Sequence, residues 1–337
     1  MTILFEKHPL TVSPALAPRQ PREADQFDRP RRAGDAVLTI GLINNMPDSA
    51  LQATERQFTR LLEGAAGNNR VHLHCFSLPS VKRSQPAKSR VDRQYADIAD
   101  LGHLKIDGLI VTGAGPSAAT LREEPFWQEL TGIIDWAEAN TRSTIWSCLA
   151  AHAAVLHLDG IERQRLNAKC SGVFDCAKID DHWLTANVPS PLKVSHSRLN
   201  ALRKNDLTAR GYQVLTESPE AGVDIFAKQL RSRFIFFQGH PEYDTLSLQR
   251  EYLRDITRFI AGERDTYPAV PSGYFDVETE GRLARFRKRA SAERKLPLSA
   301  ELPGLRLRCD VAAEAAPTEM FRNWLGFLGA AATRQPG

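Results

Sequence analysis

One stretch of the sequence decides the fold: Ser143-Thr144-Ile145-Trp146-Ser147-Cys148-Leu149-Ala150-Ala151-His152-Ala153-Ala154. Residues 143–147 predict a buried strand, and the small residues after Cys148 predict a helix. The strand runs directly into the helix. The Cys148 thiol therefore stands on a sharp turn between the two elements.

The residues around this stretch repeat the order of a buried strand followed by a helix. Strands are predicted for residues 37–43, 70–78 and 106–111, and helices for residues 49–65 and 126–138. Such alternation is typical of a wound, mostly parallel α/β sheet flanked by helices, whose ligands bind at the carboxyl ends of the strands. The loops predicted to form the site are residues 44–49, 112–118 and 147–149.

The core of the fold is predicted to be a single α/β domain at residues 37–262. Before it, residues 1–36 hold five prolines and mixed charges without hydrophobic periodicity, which predicts a flexible N-terminal arm. Within it, we expect a polar connection at 84–103, shorter and mixed strands between 170 and 237, and a closing helix at 245–262.

A C-terminal arm is predicted for residues 263–337, with a basic segment and a terminal helix. Residues 282–295 hold seven Lys or Arg against one Glu. Such a run is usually a solvated helix face; contact with a phosphate-bearing ligand or a partner is the alternative. Apolar residues at helical spacing near the end predict a docking face rather than a cofactor site: Phe321, Trp324, Leu325, Phe327 and Leu328.

The composition is that of a globular protein. Among 337 residues, 42% are hydrophobic and 25% are charged, which excludes wholesale disorder, a fibrous repeat and a disulfide-stapled miniprotein. The net charge of +4 is too small to indicate nucleic-acid binding. No apolar run approaches the roughly 18 residues of a membrane span, and the N-terminus lacks the apolar stretch of a signal peptide. We therefore expect a cytoplasmic protein that binds neither nucleic acid nor membrane.

The five cysteines form no CxxC pair, so neither a disulfide framework nor a zinc ribbon is predicted. Several histidines also lack metal-ligand spacing: His72, His74, His103, His157 and His182. We therefore predict no metal. Four of the cysteines have no context for reactivity and are predicted to be structural: Cys75, Cys170, Cys176 and Cys309.

Cys148 differs from these four because the N-terminus of a predicted helix lies directly behind it. The helix dipole and the unpaired backbone N–H groups there favour a thiolate and can bind an oxyanion. This is the arrangement of a nucleophile elbow. The alternative is a small buried core thiol, the usual environment of cysteine, and the local pattern does not separate the two.

A histidine and a glutamate lie on one loop after the last strong strand, Phe234-Ile235-Phe236-Phe237: they are His240 and Glu242. The carboxylate can orient the imidazole, and a cysteine nucleophile needs such a base within hydrogen-bond reach. A histidine at a strand end is more often a surface residue. Together with Cys148, however, the pair predicts a Cys-His-Glu triad.

Further polar residues near predicted loops or helix faces are weaker candidates: Lys169, the Ser195-His196-Ser197-Arg198 turn and Arg254. Arg254 follows His240 by fourteen residues on the next helix, so its guanidinium could turn back to hold a carboxylate. Surface exposure or helix capping is the alternative for each of them.

Ordered motifs between about residues 38 and 262 carry a family resemblance. They are Gly41-Leu42-Ile43-Asn44-Asn45-Met46-Pro47, Arg56-Gln57-Phe58-Thr59-Arg60-Leu61-Leu62, Asp107-Gly108-Leu109-Ile110-Val111-Thr112-Gly113-Ala114, Ser143-Thr144 before Cys148, Lys169 with Ser171-Gly172-Val173, His196-Ser197-Arg198, and Gly239-His240-Pro241-Glu242-Tyr243-Asp244 with Glu251-Tyr252 and Arg254-Asp255. In this order they resemble the homoserine O-succinyltransferase family of methionine biosynthesis. The resemblance implies a class I glutamine amidotransferase-like, flavodoxin-like core.

The same resemblance implies an O-acyltransferase that moves a succinyl group from succinyl-CoA to the hydroxyl of L-homoserine through a thioester on Cys148. His240 would be the base, Glu242 would complete the triad, and the N–H of Leu149 would donate to the oxyanion. Acyl-CoA is then a substrate, no cofactor is implied, and a homodimer is expected by analogy. The family's acceptor-binding lysine, serine and arginine match Lys169, Ser197 and Arg254.

Three positions depart from the family's pattern. Asp48-Ser49 stand where the family commonly has two lysines that suit a negatively charged donor. Ser117 stands where succinyl users carry glycine and acetyl users glutamate; since it adds no carboxylate, it favours succinyl-CoA over acetyl-CoA. Leu149-Ala150-Ala151-His152 replaces a pattern with Trp and Gln. The acceptor could therefore be another hydroxy amino acid, such as serine.

Two other functions compete with the transferase. A glutamine amidotransferase-type hydrolase shares the elbow cysteine and the His-Pro-Glu triplet. It usually has Gly-x-Cys-x-Gly around the nucleophile, which Ser147, Leu149 and Ala150 do not supply. The second competing function is that of a binding or regulatory protein whose catalytic site has decayed. The intact triad argues against it, because such a protein would not need one.

Overall fold

The computed structural model describes residues 37–294, 301–308 and 315–330. The predictions for residues 1–36 and for Cys309 lie outside these ranges. Within them, no helix is both long enough and apolar enough to cross a membrane.

The order of elements follows the predicted alternation of strands and helices. The strands are β1 (Val37–Ile43), β2 (Arg70–Phe76), β3 (Gly108–Val111), β4 (Ser143–Ser147), β5 (Gln164–Lys178), β6 (Leu192–Ala201), β7 (Gln213–Val214), β8 (Thr216–Ser218), β9 (Gly222–Val223), β10 (Ile225–Gln229) and β11 (Arg233–Phe237). The helices are α1 (Asp48–Ala65), α2 (Gln85–Gln94), α3 (Trp127–Asn140), α4 (Leu149–Asp159), α5 (Lys204–Thr208), α6 (Ser247–Ile260), α7 (Val277–Glu293) and α8 (Ala315–Gly329).

A seven-stranded sheet with the order β2-β1-β3-β4-β11-β10-β7 forms the centre of the fold. The strands from β2 to β11 in this order are parallel, and β10 pairs antiparallel with both β11 and β7. The predicted wound, mostly parallel α/β fold is therefore confirmed. Because β1, β3, β4 and β11 are parallel, their carboxyl ends meet at one edge, where the three predicted site loops and the His240 loop all lie.

Apolar layers cover both faces of this sheet. Leu38, Ile40 and Leu42 of β1 pack in the layer that contains α1 and α8, and α3 and α4 belong to the opposite layer. The apolar cluster at the C-terminal end of the chain lies on α8, and four of its five members are buried against the sheet: Phe321, Trp324, Leu325 and Leu328. The cluster is a docking face within the chain itself.

Two regions differ from the sequence-based expectation. The predicted polar connection at 84–103 contains α2 and a short 3-10 helix at Ile98–Gly102. α2 buries none of its residues, so no hydrophobic period marks it in the sequence. The expectation of short strands after residue 170 is wrong for β5 and β6, which form a long antiparallel pair in a four-stranded sheet of order β6-β5-β8-β9. Most of β5 is partly exposed without clean alternation, which hides it from a periodicity argument.

Helices α6 and α7 pack together in a third apolar cluster that extends past residue 262. Tyr252, Ile256 and Phe259 of α6 meet Leu283 and Phe286 of α7 there. Most of the basic side chains of α7 are exposed on its other face, as expected for a solvated helix face. The domain boundary at residue 262 remains a prediction, as does binding of a partner or phosphate by the basic segment.

Candidate active site

Cys148 occupies the turn between β4 and α4 in a strained backbone conformation. Its φ is 53° and its ψ is −113°, a region that residues other than glycine rarely enter. The backbone N–H of Cys148 donates a 2.8 Å hydrogen bond to the carbonyl of Phe237, which ties the turn to the end of β11. The elbow that the sequence predicts is thus present, and it lies beside the strand that leads to His240.

The other described cysteines do not share this geometry. Burial raises the pKa of the Cys75 thiol to about 12, and it raises the pKa of Cys170 and of Cys176 as well. Such thiols stay protonated and weakly nucleophilic near neutral pH. Among the described residues, Cys148 is therefore the cysteine placed for nucleophilic chemistry.

His240 and Glu242 form a buried pair beside the elbow. The His240 Nδ1 lies 2.8 Å from the Glu242 Oε1, and the imidazole also interacts with Cys148 through charge and a side-chain hydrogen bond. Burial alone would lower the pKa of His240, but the negative charges of Glu242 and Cys148 outweigh it and raise that pKa well above its usual value. This geometry favours a protonated His240 imidazole beside the Cys148 sulfur.

Tyr243 holds the ring of His240 from one side. The two rings stack with their centroids 4.2 Å apart and an angle of 19° between their planes. The Tyr243 hydroxyl donates a 2.6 Å hydrogen bond to the Oε1 of Glu251 on α6. Sequence reasoning assigned no role to Tyr243 or Glu251, although both lie in motifs that it quoted.

Glu251 also brings together two of the predicted acceptor-binding residues. The Ser197 hydroxyl donates to Oε2 of Glu251, and the Lys169 ammonium lies 3.3 Å from the same oxygen. Lys169 follows an irregularity in the pairing of β5 with β6, between Arg165 and Cys170, which can redirect a side chain. Burial tends to raise the pKa of Glu251, but Lys169 and the hydrogen bonds outweigh it and lower that pKa. An ionised Glu251 therefore links Lys169 and Ser197 to the His240 loop.

Arg254 lies at the outer side of this cluster. Its guanidinium is 3.2 Å from the carboxylate of Asp255, its side chain is 43% exposed, and Asp255 in turn lies 3.4 Å from Lys169. The structure thus joins Arg254 to Lys169 through a shared carboxylate. A ligand that approaches from solvent can reach the exposed guanidinium.

The Ser195-His196-Ser197-Arg198 segment is part of strand β6, not a turn, so that prediction is wrong. Its side chains alternate between two faces: Ser195 and Ser197 are partly exposed, whereas His196 and Arg198 are buried. The surface alternative is therefore wrong for these two. A half-polar strand with this alternation cannot be told from a turn by composition, because serine and arginine are common in both.

His196 belongs to a second buried cluster with Cys176 and Asp224, whose ligand-type atoms all lie within 4.8 Å of one another. Arg198 donates a 3.3 Å hydrogen bond to Nδ1 of His196, and the Thr216 hydroxyl donates a 3.0 Å bond to Asp224. Asp224 accepts hydrogen bonds on both of its oxygens, and the charge of Arg198 repels a cation. The contacts describe a hydrogen-bond network rather than a metal site.

This network supports the backbone that carries His240. The N–H of Gly239 donates a 3.2 Å bond to Asp224 Oδ1, and the N–H of His240 donates a 2.8 Å bond to the carbonyl of Ser195. A Cβ atom at Gly239 would lie 2.5 Å from the side chain of Val194 and 2.6 Å from the Asp224 carboxylate. Only glycine allows the loop to pass this close to the strand.

A family model matches the chain over residues 27–334 and is described as "Homoserine O-succinyltransferase". The chain belongs to the homoserine O-succinyltransferase family. The homoserine O-succinyltransferase of Bradyrhizobium japonicum is 58% identical over 97% of this chain and 99% of that protein. The one of Rhodopseudomonas palustris is 59% identical over 96% and 98%, respectively. The family predicted from the motifs is confirmed, and with it the class of enzyme.

Among solved structures, a glutamine amidotransferase from Thermotoga maritima is similar at 14% sequence identity and a TM-score of 0.47. The match covers 87% of this chain and 98% of that chain.

The backbone around the nucleophile leaves room for the oxyanion position expected from the family. As the first residue of α4, Leu149 has a backbone N–H without an acceptor inside the helix. A Cβ at Gly113 would lie 3.1 Å from this nitrogen. Glycine at 113 therefore keeps the approach to the N–H open.

Ser117, which the family resemblance predicts to select the acyl donor, is bound to Glu124. The Glu124 carboxylate accepts from the Ser117 N–H and hydroxyl at 2.9 Å each, and from the Ala118 N–H at 3.0 Å. Sequence reasoning missed Glu124, since a glutamate in a polar turn carries no periodic signal. The loop at 117–118 is thus held by a buried carboxylate.

Asp48, one of the predicted departures from the family pattern, anchors the loop at 44–49. It accepts a 2.7 Å bond from the N–H of Ser84 and lies 3.4 Å from Arg83. Arg83 also donates to the carbonyl oxygens of Met46 and Asn44. Arg83, a buried arginine from a distant loop, therefore supplies a positive charge beside Asp48.

His152, the last residue of the departure after the nucleophile, is directed into the core. It lies 3.0 Å from the side-chain oxygen of Gln238, and burial lowers its pKa to about 3, so it is neutral near pH 7. Ala150 and Ala151 are fully buried as well. Leu149 is therefore the member of this segment that lies nearest the reacting atom.

A cavity of about 690 Å³ lies between α1, α8 and β6. Its lining includes His240, Glu242 and Tyr243. The cavity therefore reaches the histidine and the glutamate of the predicted triad.

Proposed function

We propose that this protein transfers the succinyl group of succinyl-CoA to the hydroxyl of L-homoserine through a thioester on Cys148. The observation that carries the proposal is the elbow thiol next to an imidazole whose Nδ1 is 2.8 Å from a buried carboxylate. Membership of the homoserine O-succinyltransferase family supports the choice of donor and acceptor.

In the first half-reaction, the Cys148 thiolate attacks the carbonyl carbon of succinyl-CoA. The N–H of Leu149 donates to the oxyanion that forms. The bond between this carbon and the sulfur of coenzyme A then breaks, and the leaving thiolate takes a proton from the His240 imidazolium. Coenzyme A leaves, and a succinyl thioester remains on Cys148.

In the second half-reaction, His240 accepts the hydroxyl proton of homoserine while the oxygen attacks the thioester carbon. The bond between this carbon and the Cys148 sulfur then breaks, which releases O-succinylhomoserine and returns the Cys148 thiolate beside the His240 imidazolium. The negative charge of Cys148 is one of the interactions that raise the pKa of His240. Acylation removes that charge, so the pKa of His240 falls and the neutral imidazole becomes available as a base. Each half-reaction thus prepares the protonation state that the other requires.

We assign acceptor binding to Lys169, Ser197 and Arg254. The two cations suit the carboxylate of an amino acid, and Glu251 beside Lys169 and Ser197 suits its ammonium group. These groups would bind the carboxylate and the ammonium group that all amino acids share, and they do not measure the length of the side chain. Serine therefore remains the alternative acceptor.

We assign donor selection to the loop that carries Ser117. Its hydroxyl is bound to Glu124, so it adds no charge that would repel succinate. Acetyl-CoA remains the alternative donor. Both half-reactions are acyl transfers without a change in oxidation state, so no resident cofactor is required, and we place the reaction in the cytoplasm, in a homodimer.

Mass spectrometry of the enzyme mixed with succinyl-CoA, without acceptor, tests the proposal. We expect a succinyl adduct on the peptide that contains Cys148, and its loss when homoserine is added. The Cys148→Ala variant is the control and should carry no adduct. Absence of an adduct with either succinyl-CoA or acetyl-CoA would overturn the proposal, and release of ammonia from glutamine would support the hydrolase alternative.

A further inference from the structure

Tyr243 and the base His240 are the last and first residues of one tight turn. The N–H of Tyr243 donates a 3.3 Å hydrogen bond to the carbonyl of His240, and Pro241 occupies the second position of the turn, where proline is favoured. Such a turn brings its first and fourth residues within about 7 Å of each other. The local sequence therefore places the phenol ring of Tyr243 beside the imidazole.

Two contacts of different kinds hold this imidazole. Glu242 lies 2.8 Å from its Nδ1 in the plane of the ring, and Tyr243 covers one of its faces with the centroids 4.2 Å apart. The first contact limits rotation of the ring within its plane, and the second limits its tilt. Nε2 is the nitrogen that remains for Cys148 and for an acceptor hydroxyl.

Tyr243 is itself fixed to α6. Its side chain packs against the apolar cluster of α6 and α7, and its hydroxyl donates a 2.6 Å hydrogen bond to Oε1 of Glu251. Burial and the negative charges nearby raise the pKa of Tyr243 well above its ordinary value, so the hydroxyl keeps its proton and remains a donor. The position of the imidazole is thus tied to the position of the Glu251 carboxylate.

Glu251 has room for one more donor. Tyr243 occupies Oε1, whereas Ser197 donates to Oε2 and the Lys169 ammonium lies 3.3 Å from that oxygen. An ionised carboxylate offers about four lone-pair positions, so these contacts do not exhaust it. The ammonium group of an amino acid can therefore bind Glu251 while Tyr243 stays in place.

We propose that Tyr243 is a positioning residue that holds the acceptor's ammonium site on Glu251 at a fixed distance from the imidazole of His240. This inference rests on the proposed transfer through Cys148 and on the proposed binding of the acceptor by Glu251. The acceptor spans the two groups, since its ammonium binds Glu251 and its hydroxyl must reach Nε2 and the thioester carbon. A fixed spacing aligns the hydroxyl for attack, and it sets which distance between ammonium and hydroxyl is accepted.

Water is the acceptor that separates this role from a general effect on the base. Hydrolysis of the thioester uses His240 in the same way, but water has no ammonium group to bind Glu251. Loss of the Tyr243 hydroxyl should therefore slow transfer to homoserine and spare hydrolysis. Loss of the ring should slow both, because the imidazole then loses the contact on its face.

The experiment starts from enzyme that has been acylated with succinyl-CoA and freed of excess donor. Mass spectrometry follows the loss of the succinyl group from Cys148 in buffer alone and with homoserine below saturation. We expect Tyr243→Phe to slow transfer to homoserine about 10- to 100-fold, as for the loss of a hydrogen bond to a charged group. Hydrolysis and the initial acylation should change by less than about threefold. Tyr243→Leu should also slow hydrolysis and acylation, by about 3- to 10-fold.

Tyr212→Phe is the matched control. The Tyr212 hydroxyl also donates a 2.6 Å hydrogen bond to a carboxylate, that of Asp159, at the end of α4 opposite to the nucleophile. All three rates should stay within about threefold of the wild type in this variant.

Equal slowing of transfer and hydrolysis in Tyr243→Phe would overturn the proposal, as would an unchanged rate with homoserine. An unchanged rate of acylation in Tyr243→Leu would refute the role of the ring. If the wild type formed no adduct with succinyl-CoA, the proposed function would fail. If the adduct formed and only the ratio of the two rates stayed constant, this inference alone would fail.

Discussion

The molecule contains two sets that each combine a cysteine, a histidine and a carboxylate, and the pKa values of their imidazoles are shifted in opposite directions. One is Cys148, His240 and Glu242, and the other is Cys176, His196 and Asp224. The pKa of His240 lies well above the ordinary value, whereas the pKa of His196 lies well below it. Residue identity and burial are therefore not enough to make a catalytic triad.

The neighbours of each imidazole explain the difference. Burial lowers the pKa of both histidines, but His240 has anionic groups on two sides, whereas His196 has the Arg198 guanidinium at its Nδ1. Burial also raises the pKa of Asp224 to about 6. The His196 imidazole therefore stays neutral near pH 7, and Asp224 supports the loop at Gly239.

The comparison is tested most strongly by removing the acid from each set. Glu242→Gln should lower the rate of acylation about 10²- to 10⁴-fold, because His240 loses the group that orients it and stabilises its charge. Asp224→Asn should lower that rate by less than about tenfold, but destabilise the fold by about 1–3 kcal/mol through a disturbed buried network. Stopped-flow acylation and chemical denaturation measure the two effects, and the reverse ranking of the rates would contradict the assignment.

Titration of the two imidazoles by NMR tests their charge states directly. A raised pKa keeps His240 protonated at pH 7 and releases its proton only as the pH rises further, whereas a lowered pKa keeps His196 neutral down to acidic pH. Cys148→Ala should move the titration of His240 to lower pH, because one of the charges that raise its pKa is gone. The titration of His196 should not move. Two histidines that titrate together near pH 6.5 would refute the comparison.

Removing the thiol of the second set should have the smallest effect. Cys176→Ala is expected to cost about 1 kcal/mol of stability, since it removes one buried sulfur, and to leave acylation within about twofold of the wild type. Thermal unfolding and the acylation assay measure both. A large loss of activity with an unchanged melting temperature would assign Cys176 to the chemistry.

Much of the first set could be predicted because its signals are local. Cys148 lies where a strand meets a helix, and His240 and Glu242 are neighbours on one loop after a strand. The second set is spread over β5, β6 and the segment before β10, and no short pattern marks it. The same holds for Glu251 and Glu124, which contact predicted site residues without a local sequence pattern that marks them.

By itself, the sequence determined the alternation of strands and helices, the elbow at Cys148 and the family, and it predicted the triad residues. These follow from periodicity and from motifs that are contiguous along the chain. Only the tertiary structure decided which imidazole has the raised pKa and that His196 and Arg198 are buried on a strand. Burial and charge depend on distances between residues that the chain itself keeps far apart, and folding alone brings them together.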